Sequence, residues 1–224
     1  MKTVGKSVLS AIVGLLAVGA MLFLPAGTLH YWQAWAFLAV FALSTWIPSV
    51  YLMRTNPAAL ERRMHAGPGP ESRPLQKIII SIAFASLAAM IVVSALDHRY
   101  GWSAVPQAIS VIGDALVAVG LGAAMLVVIQ NGYAAANITV ESGQTLVSSG
   151  LYGLVRHPMY TGNVIMMAGI PLALGSYWGL IFVPPGLVVL ALRIRDEEGL
   201  LEQELSGYRE YEQQVHYRLV PYVW

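Results

Sequence analysis

Long apolar stretches joined by short connectors constrain this chain more than any other feature in it. Val8 to Leu24, about Trp35 to Met53, Lys77 to Leu96 and Val105 to Ile129 each approach the ~20 residues that a helix needs to cross the hydrocarbon core. Two shorter runs follow, Met159 to Leu174 and Tyr177 to Leu192, and Gly175-Ser176 between them suits a tight helical hairpin. No extended backbone can leave its polar groups unpaired in lipid, so these runs are read as helices. With 57% hydrophobic residues, 11% charged residues and a mean hydropathy of +0.62, the composition is that of an integral membrane protein. The expected fold is therefore an all-α integral membrane protein of about five to six transmembrane helices. Residues 1–224 form a single membrane domain, in which 1–130 hold four N-terminal spans and 131–224 a separate signature region.

Lys2 and Lys6 precede the first run, as in a signal peptide, but a second apolar run follows almost at once without a clear cleavage segment, so the first run is read as a span. Trp32 and Trp35 suit an interfacial belt, and Pro48 would kink the second span near its far end. Arg54, Arg62, Arg63, Arg73 and Lys77 gather around one loop containing Gly67-Pro-Gly-Pro70, which assigns that loop to the cytoplasm. The N-terminus then lies on the same side, Asp97-His-Arg-Tyr-Gly-Trp102 forms an outer loop, and six helices leave both termini cytoplasmic. Asn137-Ile-Thr-Val140 and Gln144-Thr-Leu-Val147 around Glu141-Ser-Gly143 would make a small hairpin. Asn137-Ile-Thr139 is formally a glycosylation sequon, but a cytoplasmic loop would not be modified. Asp114 stands inside an apolar span, where a charge costs about 2.5–3.5 kcal/mol on insertion scales. It either lines a substrate cavity or sits near the outer end of its helix within reach of water.

The polar, turn-rich stretch Gly150-Leu-Tyr-Gly-Leu-Val-Arg-His-Pro-Met-Tyr-Thr-Gly162 runs straight into an apolar helix pattern. Pro158 disfavours helical backbone at His157 and suits the first position of a helix starting there. The free N–H groups of Met159, Tyr160 and Thr161, with Arg156 just before them, would make a positive site suited to an anionic group. Tyr160 adds an aromatic face for a cation, and Gly162 removes a side chain where something approaches the backbone closely.

Arg156-His157-Pro158-Met159-Tyr160-Thr161-Gly162 resembles the Arg-His-Pro-x-Tyr-x-Gly signature of the isoprenylcysteine carboxyl methyltransferase family, of which phospholipid N-methyltransferases carry a related form. A second family element, a Glu-Glu pair ahead of a Gly-x-x-Tyr segment, is matched by Glu197-Glu198 and by Gly207-Tyr-Arg-Glu-Tyr211. The resemblance covers roughly the last third of the chain. It implies a cytoplasmic C-terminal region that binds S-adenosylmethionine, with Arg156, His157, Tyr160, Gly162, Glu197 and Glu198 as cofactor contacts. The implied acceptor is a lipid or a prenylated molecule delivered from the bilayer, and the implied setting is a bacterial inner membrane.

Within the C-terminal segment the acids Asp196, Glu197, Glu198, Glu202, Glu204, Glu210 and Glu212 make a charge run, usually just a solvated face. Arg193 with Glu197, and Arg195 with Glu198, are spaced to pair along a helix that Gly207 would end. Arg193, Arg195 and Glu197 are the expected catalytic groups. A prenylcysteine carboxylate is already ionised and needs a positioned cation, which Arg193 or Arg195 could supply. A phosphatidylethanolamine amine must lose a proton, which would require Glu197, Glu198 or His157 as base. Both acceptors stay open. Tyr208, Tyr211, Tyr217, Tyr222 and Trp224 would cover a nucleotide or, for most of them, rest on the interface.

The chain has no cysteine, which excludes disulfides, thiolate metal sites and a cysteine nucleophile. His30, His65, His98 and His216 show no metal-ligand spacing, so no catalytic metal is expected, and nothing suggests a nucleic-acid partner. No Gly-x-Gly-x-x-Gly follows a strand, so the sequence gives no ground for a cofactor pocket of the soluble Rossmann type. Two other classes compete. Sterol-type membrane reductases, similar to this family in their C-terminal region, bind a nicotinamide cofactor. A noncatalytic lipid-binding scaffold would retain the fold without the chemistry.

Overall fold

A computed structural model describes residues 2–64, 67, 69, 71, 73–134, 140 and 143–224. Among these the chain is all-helical, with no strand. The helices are α1 (Lys2–Ala26), α2 (Trp32–Thr55), α3 (Pro57–Met64), α4 (Pro74–Tyr100), α5 (Gln107–Gln130), α6 (Pro158–Ala173), α7 (Val183–Glu204) and α8 (Tyr208–Gln214). A 3-10 turn precedes the signature at Gly150–Gly153, and another, Trp178–Phe182, leads into α7. Five described helical stretches are long and apolar enough to cross a membrane, the last being Trp178–Glu204. Many of their apolar side chains face outward, as lipid requires: Leu16, Leu43, Ile78, Val111 and Val188 are all exposed.

With 16 residues, α6 reaches about 24 Å at ~1.5 Å per residue, short of the ~30 Å hydrocarbon core. It nevertheless joins the two ends of the bundle, because a seam of glycines lets it lie directly on α5. A Cβ at Gly120 would come within 2.5 Å of the Gly162 carbonyl, and one at Gly162 within 2.6 Å of the Gly120 carbonyl. Gly113 and Gly169 repeat the contact further along, against Ala173 and Leu116. Small residues of this kind allow backbones to approach in lipid, where no hydrophobic drive brings helices together. The expected hairpin turn also forms, with Gly175 at φ +68°.

The opposite end of the bundle departs from the expected outer loop. α4 continues through Asp97 to Tyr100, and Asp97 is 1% exposed. Its carboxylate accepts hydrogen bonds from the Ser103 backbone N–H (2.7 Å), the Ser103 hydroxyl (2.6 Å) and the Ser176 hydroxyl (2.5 Å). Three polar partners make burial tolerable where the run of polar residues alone suggests solvent. Tyr31 stacks on His98 with centroids 3.8 Å apart, and its hydroxyl donates to the Leu174 carbonyl at 2.6 Å.

Trp32 and Trp35 are exposed, and α2 runs through Pro48. The pairing proposed around Glu141-Ser-Gly143 falls partly outside the described residues, as do the sequon and His65; residues 144–148 adopt no strand. Asp114 is buried about two turns into α5, at 9% exposure, and its Oδ1 has no partner among the described residues. It lines neither of the cavities described below.

Candidate active site

Pro158 opens α6 as its first residue, and His157 caps it in a non-helical conformation, φ −123°. The residues before the proline are extended and find their backbone partners in the C-terminal tail. Arg156 N–H donates to the Tyr217 carbonyl (2.8 Å), and His157 N–H to the Arg218 carbonyl (2.9 Å). The Thr161 hydroxyl adds a bond to the Leu219 carbonyl at 2.7 Å. Thus the tail straps the signature to the end of the bundle.

Side chains continue the strap around Glu198, which is 3% exposed. Arg156 reaches Glu198 Oε1 through Nε (2.9 Å) and Nη2 (2.8 Å), and His157 Nε2 lies 3.2 Å from the same oxygen. Arg218 reaches Oε2 through Nε and Nη2, both at 2.8 Å. Both carboxylate oxygens are therefore engaged by cationic or ring N–H donors. Arg156 also donates to the Val215 carbonyl at 3.3 Å and stands 3.6 Å from Glu212.

Glu197, one position round the helix, belongs to a different network. The Tyr160 hydroxyl donates to Glu197 Oε2 at 2.6 Å and accepts from Arg193 Nε at 2.9 Å. Arg193 Nη1 donates to Gln76 Oε1 at 3.0 Å. Gln76 in turn donates to Asp196, which is held by Arg73 at 2.9 Å. This last pair fixes the basic loop beside α7, whereas the Arg62 guanidinium on α3 holds the segment that follows α5, 3.1 Å from the Gly132 carbonyl and 5.0 Å from the centre of the Tyr133 ring. Arg195 is exposed. The space beside Gly162 is occupied by α5 backbone.

Two cavities meet this network at different residues. The first is an open cleft of about 100 Å³ lined by Arg156, His157, Tyr160 and Glu197 and by the rings of Tyr152, Tyr208 and Tyr211. Burial pushes the hydroxyls of Tyr208, Tyr211 and Tyr152 above the ordinary tyrosine range, so they stay protonated. Tyr208 OH is buried without a partner among the described residues. The second cavity, about 200 Å³, lies between α4, α6 and α7 among Leu87, Met90, Met166, Met167 and Val189, and Arg193 stands in its wall.

Of the expected site residues, Arg156, His157, Tyr160 and Glu197 thus share the cleft, Arg193 faces the apolar cavity, and Glu198 sits behind the cleft between two guanidinium groups. Arg218 and Gln76 were not singled out in the sequence, and Arg73, Asp196 and Glu212 were read there only as members of charge runs. Gln76 carried a faint signal, as an uncharged polar residue in the first turn of a span. Arg218 carried none, since its pairing with the signature is a long-range backbone match.

Residues 108–206 match the family model described as phospholipid methyltransferase, a little under half of the chain. A Delta(14)-sterol reductase of Mus musculus is 34% identical over 90 residues, an alignment covering 39% of this chain and 22% of that protein. The chain accordingly spans less than a quarter of that curated relative. A solved eukaryotic isoprenylcysteine carboxyl methyltransferase aligns over 97% of this chain and 86% of its own, with 18% identity and a TM-score of 0.45. The family-model match spans the segment that carries both the signature and the carboxylate pair, and over that segment the chain is similar to the phospholipid methyltransferases.

Proposed function

We propose that this protein is an S-adenosylmethionine-dependent methyltransferase that acts at the cytoplasmic membrane face on a lipidic acceptor, most like the isoprenylcysteine carboxyl O-methyltransferases. The observation that carries the reading is the meeting of a polar, aromatic-lined cleft and an apolar intramembrane cavity at one short chain of hydrogen bonds, Glu197–Tyr160–Arg193. The basic loop held beside α7 supports a cytoplasmic cleft, reached by a soluble cosubstrate.

The cleft suits the cosubstrate chemically. Glu197 offers a carboxylate and the tyrosines offer ring faces to a sulfonium cation, and the Tyr208 hydroxyl, without a partner among the described residues, is a further donor. Glu197 together with Arg156 and His157 would hold the cosubstrate, which when bound supplies a methyl group on positively charged sulfur. The remaining work is positional. Arg193 would orient an anionic acceptor in the apolar cavity, its guanidinium fixed by Tyr160 and Gln76. Holding the reacting groups in line would supply most of the rate. A cation in the acceptor wall favours a carboxylate, whereas the family-model match keeps a phospholipid amine as the second reading.

The test uses purified protein and methyl-labelled S-adenosylmethionine, with farnesylcysteine and phosphatidylethanolamine offered in parallel. Base-labile label on farnesylcysteine is expected. Base-stable label on the lipid would favour N-methylation, and binding of NADPH without binding of S-adenosylhomocysteine would overturn the reading in favour of a reductase.

A further inference from the structure

The apolar cavity contains a polar group that the reaction as proposed does not use. Asn163 follows Gly162 on α6 and lines this cavity among Leu87, Met90, Met166 and Val189. Its amide makes no side-chain hydrogen bond to any described residue, and it is half-buried. An amide facing hydrocarbon without partners is unfavourable, because it offers two donors and an acceptor to surroundings that return neither. Ser86, which lines the cavity from α4, can turn its hydroxyl to its own helix, an escape far less open to the branched amide of asparagine. Arg193 lines the same cavity from α7.

We infer that Asn163 is a specificity-determining residue that recognises a neutral amide on the acceptor, next to the group that receives the methyl. The inference rests on the proposed reading of the apolar cavity as the acceptor's site. A cation and a primary amide lining one cavity match a head that carries an anion and a secondary amide close together: Arg193 takes the anion, and Asn163 accepts from the amide N–H and donates to its carbonyl. A site that hydrogen-bonds a ligand discriminates against the analogue lacking that group, because its own polar atoms are then left unpaired.

The experiment compares N-acetyl-S-farnesylcysteine with S-farnesylthiopropionic acid, which has the same tail and carboxylate but no acetamide. Binding to the full-length detergent-solubilised protein is measured by calorimetry, for wild type, Asn163→Leu and Asn163→Gln. Affinity for S-adenosylhomocysteine is measured on each as the check of folding and of the donor site. Wild type is expected to favour the acetamide compound by about fivefold or more, a ratio that falls below about twofold in Asn163→Leu and partly returns in Asn163→Gln, with S-adenosylhomocysteine affinity unchanged throughout. Equal wild-type affinities, a preference surviving in Asn163→Leu, or binding of neither compound would overturn the inference. Loss of S-adenosylhomocysteine binding in wild type with the preference intact would instead remove the methyl-donor reading and leave Asn163 in its role.

Discussion

Replacing Glu198 with glutamine removes one negative charge from between two guanidinium groups while preserving the shape of the side chain. Arg156 is 8% exposed, so its charge loses its closest counter-ion and stays buried; Glu212, at 3.6 Å, compensates in part. Arg218 has 29% of its side chain exposed and can turn to water. Breaking a fully buried pair costs about 3–5 kcal/mol, and these two reliefs lower the expectation to about 2–3 kcal/mol. At about 2–4 °C per kcal/mol for a chain of this size, Glu198→Gln should unfold about 5–10 °C below wild type in a detergent melt. Glu197→Gln serves as the paired control. Glutamine can still accept from Tyr160, and Glu197 faces the open cleft, so its melting shift should be no more than a third as large while its S-adenosylhomocysteine affinity falls further. Equal shifts in the two variants, or an unshifted Glu198→Gln, would refute the assignment of Glu198 as an internal counter-ion.

Gly186→Val should block the apolar cavity while leaving the cleft intact, because a Cβ there meets only the flexible Met167 side chain, at 2.5 Å from Sδ; acceptor KM is expected to rise at least tenfold with S-adenosylhomocysteine binding unchanged by calorimetry. Gly120→Leu has no such outlet, since its Cβ strikes α6 backbone, and the overpacked α5–α6 seam should lower stability by about 3 kcal/mol or more, read as loss of folded protein by size-exclusion. Arg218→Ala should release the tail more than it harms the core, seen as faster hydrogen exchange over residues 217–224 with a melting shift under half that of Glu198→Gln. Tyr208 and Tyr211 have folded-state hydroxyls held above the unfolded value of about 10, so the stability they contribute is complete below that pH and declines as pH rises past it; alkaline phenolate absorbance should appear together with unfolding for these two.

The spans were legible because length and hydropathy alone fix them, and the break at Pro158 because proline constrains its own backbone and its neighbour's. Asp97 was misread for a physical reason. A run of polar residues after a span looks like a loop whenever the partners that satisfy it, here Ser103 and Ser176, come from elsewhere in the fold. α3 was missed because eight residues carry too little periodicity to separate a short helix from a basic loop. The tail was the largest omission: Tyr217 to Leu219 contribute backbone carbonyls to the signature, and carbonyls leave no trace in sequence.

Adjacent glutamates look redundant in a sequence, but on a helix they point about 100° apart, so they must face different surroundings. At this end of α7 one direction leads into the open cleft and the other under the C-terminal strap. Glu198, clamped by residues from the signature and from the tail, fixes the distance between α6 and α7. That distance in turn sets where Tyr160 sits between Glu197 and Arg193, and therefore how the polar cleft and the apolar cavity are aligned. The buried glutamate would then act on the chemistry through position and the half-buried one through contact. On this division neither glutamate would replace the other, and the strap at the far end of the chain would belong to the proposed site.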